Sequence, residues 1–156
     1  MITDANLTLS SNQAPTVTAF STNTIDLGQA RDIGAGGEVH VIIVVKQAAT
    51  AAGAATVNFQ LVTSANANLS TPTIISQSDA IPKASLVVGA IIHLPVPKAL
   101  INPLGQRYFG LQYTIATGPL TAGQFDCFVV NDLSGLPAGT VYSNQGGGAQ
   151  SQAVLK

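Results

Sequence analysis

Charge is what this sequence lacks most. Asp, Glu, Lys and Arg make up 8% of its 156 residues, against about 25% in an ordinary soluble domain. The six basic and seven acidic side chains leave a formal net charge of −1 and stand singly along the chain. Phosphate recognition needs clustered Lys and Arg, so the composition argues against a nucleic-acid partner. The same scarcity argues against an anionic membrane surface. A surface this poor in charge has little colloidal repulsion, and association with other protein surfaces is favoured.

Cysteine is nearly absent too. Cys127 is alone, so no intrachain disulfide can form and disulfide staples are not the source of stability. Long apolar runs are also missing. The best candidate, Leu86 to Leu94, is nine residues long and is closed by Pro95 and Pro97, where ~18 or more residues are needed to cross a bilayer. The opening Met1-Ile2-Thr3-Asp4-Ala5-Asn6 has neither the positive region nor the apolar block of a secretory leader, and none is expected.

What is present is uncharged. Thr, Ser, Asn, Gln, Ala and Gly replace the charges, and 46% of the residues are apolar. A disordered chain would be charged and poor in apolar side chains. A chain of this length fits one domain and buries roughly 68–70% of its unfolded surface on folding.

A period of two recurs from Thr16 to Val130, with no competing helical pattern of useful length. Val57, Phe59 and Leu61 alternate with Asn58 and Gln60. Phe109, Leu111, Tyr113 and Ile115 share a face of Tyr108 to Thr117, and Phe125, Cys127 and Val129 alternate with Asp126 and Phe128. Val39 to Lys46 and Leu86 to Leu94 are nearly continuous apolar runs, as expected of strands covered on both faces. Thr16 to Phe20, Thr24 to Leu27 and Thr73 to Ser76 are shorter candidates. Turn residues separate these runs, as in Asp32-Ile33-Gly34-Ala35-Gly36-Gly37 and Asn102-Pro103-Leu104-Gly105. The Ala-rich stretch Gln47 to Ala55 reads as a loop, with room for one helical turn. The expectation is an all-β fold, a jelly-roll type β-sandwich of about eight antiparallel strands. It divides the chain into an N-terminal arm (1–15), the jelly-roll domain (16–143) and a Gly-rich, flexible C-terminal tail (144–156).

No chemistry assembles on this pattern. His40 and His93 are the only imidazoles. Two residues away on its strand His93 has no other candidate ligand and His40 has only Glu38, and they read as half-buried or edge histidines rather than a metal site. Cys127 lies in mid-strand and reads as a small buried hydrophobe. No Gly-x-Ser-x-Gly elbow occurs, and the only Glu is Glu38. A carboxylate pair of Asp126 with Asp132 is the one acid–base alternative, and turn-capping or solvated roles suit both better. The loop Gly34-Ala35-Gly36-Gly37 precedes Glu38-Val39-His40-Val41, a strand where a phosphate cradle would need a helix. No catalytic residue, cofactor or metal is expected.

The order of segments carries a resemblance. Ile25-Asp26-Leu27-Gly28 and Arg31-Asp32-Ile33-Gly34-Ala35-Gly36 lead into a Val/Ile strand. Then come Phe59-Gln60-Leu61-Val62-Thr63-Ser64, Ala80-Ile81-Pro82, Leu86-Val87-Val88-Gly89 and Gly105-Gln106-Arg107-Tyr108-Phe109-Gly110-Leu111-Gln112-Tyr113. Thr121-Ala122-Gly123 before Phe125-Asp126-Cys127-Phe128-Val129-Val130 closes the series. From about Thr16 to Val130 it resembles the capsid cement proteins of short-tailed bacteriophages, the family typified by the Bordetella phage cement protein. The resemblance implies a non-enzymatic jelly-roll subunit, made in the host cytoplasm and seated on the outer capsid surface of the virion. There it would clamp neighbouring major capsid protein subunits, with no catalytic residues to carry over. A homo-oligomer is expected, a dimer ahead of a trimer, with protein contacts from apolar side chains on the chain ends: Leu7, Leu9, Val154 and Leu155. The alternative is a carbohydrate- or receptor-binding jelly roll of a phage tail or head, which would want exposed aromatic platforms; the chain has no Trp and three Tyr.

Overall fold

Side chains that alternate in the sequence alternate between core and surface. Residues 4–35, 37–98, 100, 104–131, 133 and 141–143 are described by a computed structural model. Among them are eleven strands: β1 (Thr8–Gln13), β2 (Ala19–Phe20), β3 (Ile25–Asp26), β4 (His40–Thr50), β5 (Thr56–Ser64), β6 (Thr73–Gln77), β7 (Ile81–Pro82), β8 (Ile91–Pro95), β9 (Tyr108–Ala116), β10 (Ala122–Val130) and β11 (Val141–Ser143). Two single 3-10 turns, Ala5–Leu7 and Lys83–Ser85, are the only helical elements among the described residues.

The strands form two sheets. The first has the order β1-β10-β4-β8-β11 and the second β2-β9-β5-β6, with β3 also on β9 and β7 also on β5. Every pairing is antiparallel except β11 on β8. The expected all-β, two-sheet architecture is therefore what forms, in an arrangement compatible with a jelly roll.

Val41, Ile43 and Val45 of β4 and Phe125, Cys127 and Val129 of β10 share one core with Val57, Phe59 and Leu61 of β5 and Phe109, Leu111 and Tyr113 of β9. Three rings meet at the centre. Phe59 stands edge-on to Tyr113 (centroids 5.7 Å apart) and to Phe125 (5.4 Å), and Tyr113 lies 5.7 Å from Phe125. Edge-to-face pairs add to the free energy of area burial alone. The phenol of Tyr113 donates to Ser10 Oγ (2.9 Å), which donates to Gln13 Oε1 (2.6 Å); Gln13 Nε2 donates to the Phe20 carbonyl (2.8 Å). A buried hydroxyl is thereby satisfied across the sheets.

Several expectations are corrected. The arm expected over residues 1–15 is an arm only in part, because Thr8–Gln13 forms the edge strand β1 on β10 and Leu9 is fully buried. Leu9 is its only apolar side chain, so no alternation announces the strand. Polar anchoring holds it, including the Asn12 N–H donating to Asp126 Oδ1 at 2.6 Å. Its register slips twice against β10, and Asn12 takes a positive φ of 47°. Leu86 to Leu94 is not one strand. Leu86 to Ala90 is a turn with Gly89 at φ +84°, and only Ile91–Pro95 extends. Gln47 to Ala55 is not all loop either. β4 continues to Thr50, paired with Ala122 and tied by a 2.8 Å hydroxyl contact between Thr50 and Thr121. The early runs shorten to Ala19–Phe20 and Ile25–Asp26, while β7 and β11 are too short for alternation to reveal them. The tail, 144–156, lies outside the described residues.

This packing sets expected energetics. Phe59→Ala should destabilise the fold by about 3–5 kcal/mol through lost burial and a cavity. Tyr113→Phe, which removes one buried hydrogen bond, should cost about 0.5–1.5 kcal/mol. Urea unfolding followed by far-UV dichroism measures both; a smaller loss for Phe59→Ala than for Tyr113→Phe would contradict the central place of these rings.

Candidate functional site

Antiparallel register gives the sandwich two ends of different character. At one end Thr50 pairs with Ala122 and Thr56 with Ala116. Four loops gather there: residues 14–18, 51–55, 83–90 and 117–121. Backbone hydrogen bonds stitch them to the strands and to each other. The Leu120 N–H donates to the Thr16 carbonyl, that of Thr121 to Thr50, that of Lys83 to Ala55 and that of Ala49 to Leu86. Lys83 is the only charged side chain in these four loops, and its ammonium donates to the Ala51 carbonyl. Val17 (60% exposed), Val87 (53%) and Val88 (67%) stand out of this end.

Charge collects at the other end. Asp26 of β3 holds Arg107 in a bidentate pair, both N···O distances 2.8 Å. The Arg107 hydrogen bond, helped by the Gly28 N–H, lowers the Asp26 carboxyl pKa to about 2. Whatever this exposed pair adds is thus present above the ordinary carboxylate range and lost as pH falls towards about 2. Asp32 Oδ1 accepts from the Gly34 and Ala35 N–H groups (3.0 and 3.1 Å). The turn it caps packs so tightly that a Cβ on Gly34 would collide with the Pro97 carbonyl. Gly34 serves close approach of two loops there, as its reading as a turn residue anticipates.

The same end brings His40 and His93 together. His40 opens β4 opposite Pro95, and His93 of β8 lies opposite Ile42, which makes the two imidazoles diagonal neighbours on one sheet face. His40 Nδ1 is 2.8 Å from His93 Nε2, with ring centroids 4.7 Å apart. A Glu38 carboxylate oxygen stands 3.7 Å from His40 Nε2, and its other oxygen 3.9 Å from Lys98 Nζ. Burial, with the neighbouring His40 adding, lowers the His93 pKa. The pair borders an open cleft of about 810 Å³ also lined by Ile75, Ser76 and Gln77 of β6. Reading each histidine along its own strand misses this contact, which only cross-strand register reveals.

The remaining candidates do not converge. Cys127 is fully buried, and burial, with Asp126 adding, pushes its thiol well above its ordinary range. Asp126 accepts from Asn12 and lies 3.8 Å from Lys46, while Asp132 lies outside the described residues. Leu7 is 37% exposed and lines a small apolar groove with Ile25, Leu27 and Phe109. Leu9 belongs to the core, so its burial removes it from the expected contact set. Val154 and Leu155 lie outside the described residues. No group of three or more His, Cys, Asp or Glu side chains gathers around a common point among the described residues. No aromatic side chain is among their exposed large hydrophobics.

A family model described as Bbp16 matches residues 9–129. That range starts inside β1, so the edge strand that periodicity fails to reveal lies within the family match. No curated protein matches the chain.

Burial makes a test of Cys127. The native protein should leave a thiol reagent such as DTNB unreacted over minutes and release one equivalent of chromophore on unfolding in guanidinium. Rapid reaction of the native thiol would show that the space between the sheets is open.

Proposed function

This chain belongs to the Bbp16 family, and on that premise we propose that it is a structural virion protein that clamps neighbouring major capsid protein subunits from outside the shell. In that role it stiffens the head against the outward pressure of packed DNA. The family's name points to a Bordetella phage protein. The observation that carries the reading furthest is the end of the sandwich whose four described loops carry one charged side chain, Lys83.

Burying a charge without a partner costs several kcal/mol per ion, and a partner must be matched to each one. The four described loops hold that cost to a single ion, Lys83, whose ammonium is hydrogen-bonded to the Ala51 carbonyl. Each exposed valine there contributes about 1.5–3 kcal/mol if fully buried against another subunit. Such a contact needs on the order of 1,000 Å² or more, or avidity from an oligomer that engages several sites. A homo-oligomer, a dimer ahead of a trimer, fits a charge-poor surface with little repulsion between copies. A contact of this kind survives high salt, because few ionic pairs take part. Among the described side chains a receptor- or carbohydrate-binding role has less support, since Tyr113 is buried and Tyr108 is half-buried beneath the Arg107 guanidinium.

Two measurements check the proposal. Heads carrying the protein should retain DNA to a higher temperature than heads without it. The double substitution Val87→Asp, Val88→Asp should abolish head binding while leaving the melting curve of the free protein intact. Equal heat resistance, or a reconstruction that places the protein on the tail, would overturn the assignment. Light scattering at micromolar concentration should separately show a dimer; a monomer across that range would remove self-association from the proposal.

A further inference from the structure

The chain has two histidines, 53 residues apart, and the fold brings both to one point. We propose that His40 and His93 form a binding site for a divalent transition-metal ion of the Zn²⁺, Ni²⁺ or Cu²⁺ class, with His40 Nδ1 and His93 Nε2 as its two protein ligands. The inference does not depend on the capsid reading.

Three features of the pair carry it. First, Glu38 sits behind His40, its carboxylate facing Nε2. A carboxylate in that position favours the proton on Nε2 and leaves Nδ1 as the lone-pair nitrogen, the arrangement that orients metal-ligating imidazoles. Second, that Nδ1 faces Nε2 of His93 at 2.8 Å, so the two rings already meet nitrogen to nitrogen. In the free protein His93 Nε2 carries the proton of this contact, so binding an ion needs that ring in its other neutral tautomer, with the proton on Nδ1. Two nitrogens bound tetrahedrally at ~2.0–2.1 Å from one ion stand about 3.3 Å apart, about 0.5 Å more than the contact now spans. Third, both rings are borne on paired strands whose neighbours Val41, Ile43, Ile92 and Leu94 are buried in the core. A site on such strands is held more rigidly than one on loops.

The donor set selects the ion. Imidazole nitrogens suit Zn²⁺, Ni²⁺ and Cu²⁺, whereas Mg²⁺ and Ca²⁺ want oxygen ligands. No third His, Cys, Asp or Glu joins the pair among the described residues, so water reaching it through the cleft completes the coordination. The ion therefore exchanges freely and is not a structural staple. Along its own strand neither histidine has a second imidazole or thiolate beside it, which argues against a metal; the β4–β8 register removes that objection.

The composition makes the test clean. With both histidines here and the single thiol buried, imidazole coordination has nowhere else to occur. Full-length protein, freed of metal with a chelator, is titrated with Zn²⁺ by calorimetry. The expected result is one saturable site per chain, lost in His40→Gln and in His93→Gln, and weakened about 10-fold in Glu38→Gln. Dichroism melts establish that each variant folds. If either histidine variant does not, Cu²⁺ bound to the unmodified protein decides the matter through its electron paramagnetic resonance, where hyperfine coupling to two imidazole nitrogens is expected. No saturable Zn²⁺ uptake, uptake unchanged in a folded histidine variant, or a Cu²⁺ spectrum with fewer than two coupled nitrogens would overturn the site and leave a plain cross-strand hydrogen bond.

Discussion

Three rings hold this sandwich in register. Phe59 and Tyr113 rise from one sheet and Phe125 from the other, all fully buried. Because side chains alternate with period two, placing Phe59 inward also places Val57 and Leu61 inward, and Tyr113 does the same for Leu111 and Phe109. A slip of one residue in β5 or β9 would turn a whole apolar row to solvent. The Tyr113 hydroxyl extends the constraint outward, since its bond to Ser10 anchors a strand that has little apolar surface of its own. With that frame settled, the loops at the two ends have their positions assigned.

How much of this is legible from residues alone follows the same physics. β5, β9 and β10 announce themselves because one face of each is more deeply buried than the other. β1 does not, because its residues are ordered by hydrogen bonds and one leucine, and polar anchoring has no period. The run from Leu86 to Leu94 misleads for the opposite reason. Its valines look like a buried strand, yet Val87 and Val88 are pushed outward by a turn at Gly89. The site is less legible than the fold. β5, β6 and β7 lie between His40 and His93 in the chain, all in the other sheet, so the meeting depends on which strand neighbours which. Periodicity says which face a side chain takes and nothing about its lateral neighbour.

The division of charge between the ends is a product of the loops. Asp26, Asp32, Glu38, Lys98 and Arg107 all lie in or beside the segments that enter and leave the strands at the His40 end, where several satisfy one another or cap turns. The loops of the opposite end are built mainly from Ala, Gly, Thr, Pro and Val, which close turns without needing partners. A molecule divided in this way has an orientation. Its described charges gather towards one end, and the loops of the other are nearly without them.

The uneven edge of the first sheet has a further consequence. An open strand edge is a template on which more chains can be added, and proteins usually guard it with lysine or another charge. This chain has few charges to place there. Instead β1 slips register twice within its six residues and turns through a left-handed Asn12, so no straight run of free backbone groups is left for a second strand to copy. Backbone irregularity of this kind makes the edge a poorer template for strand addition than a straight one would be, in a chain with few charges to guard it.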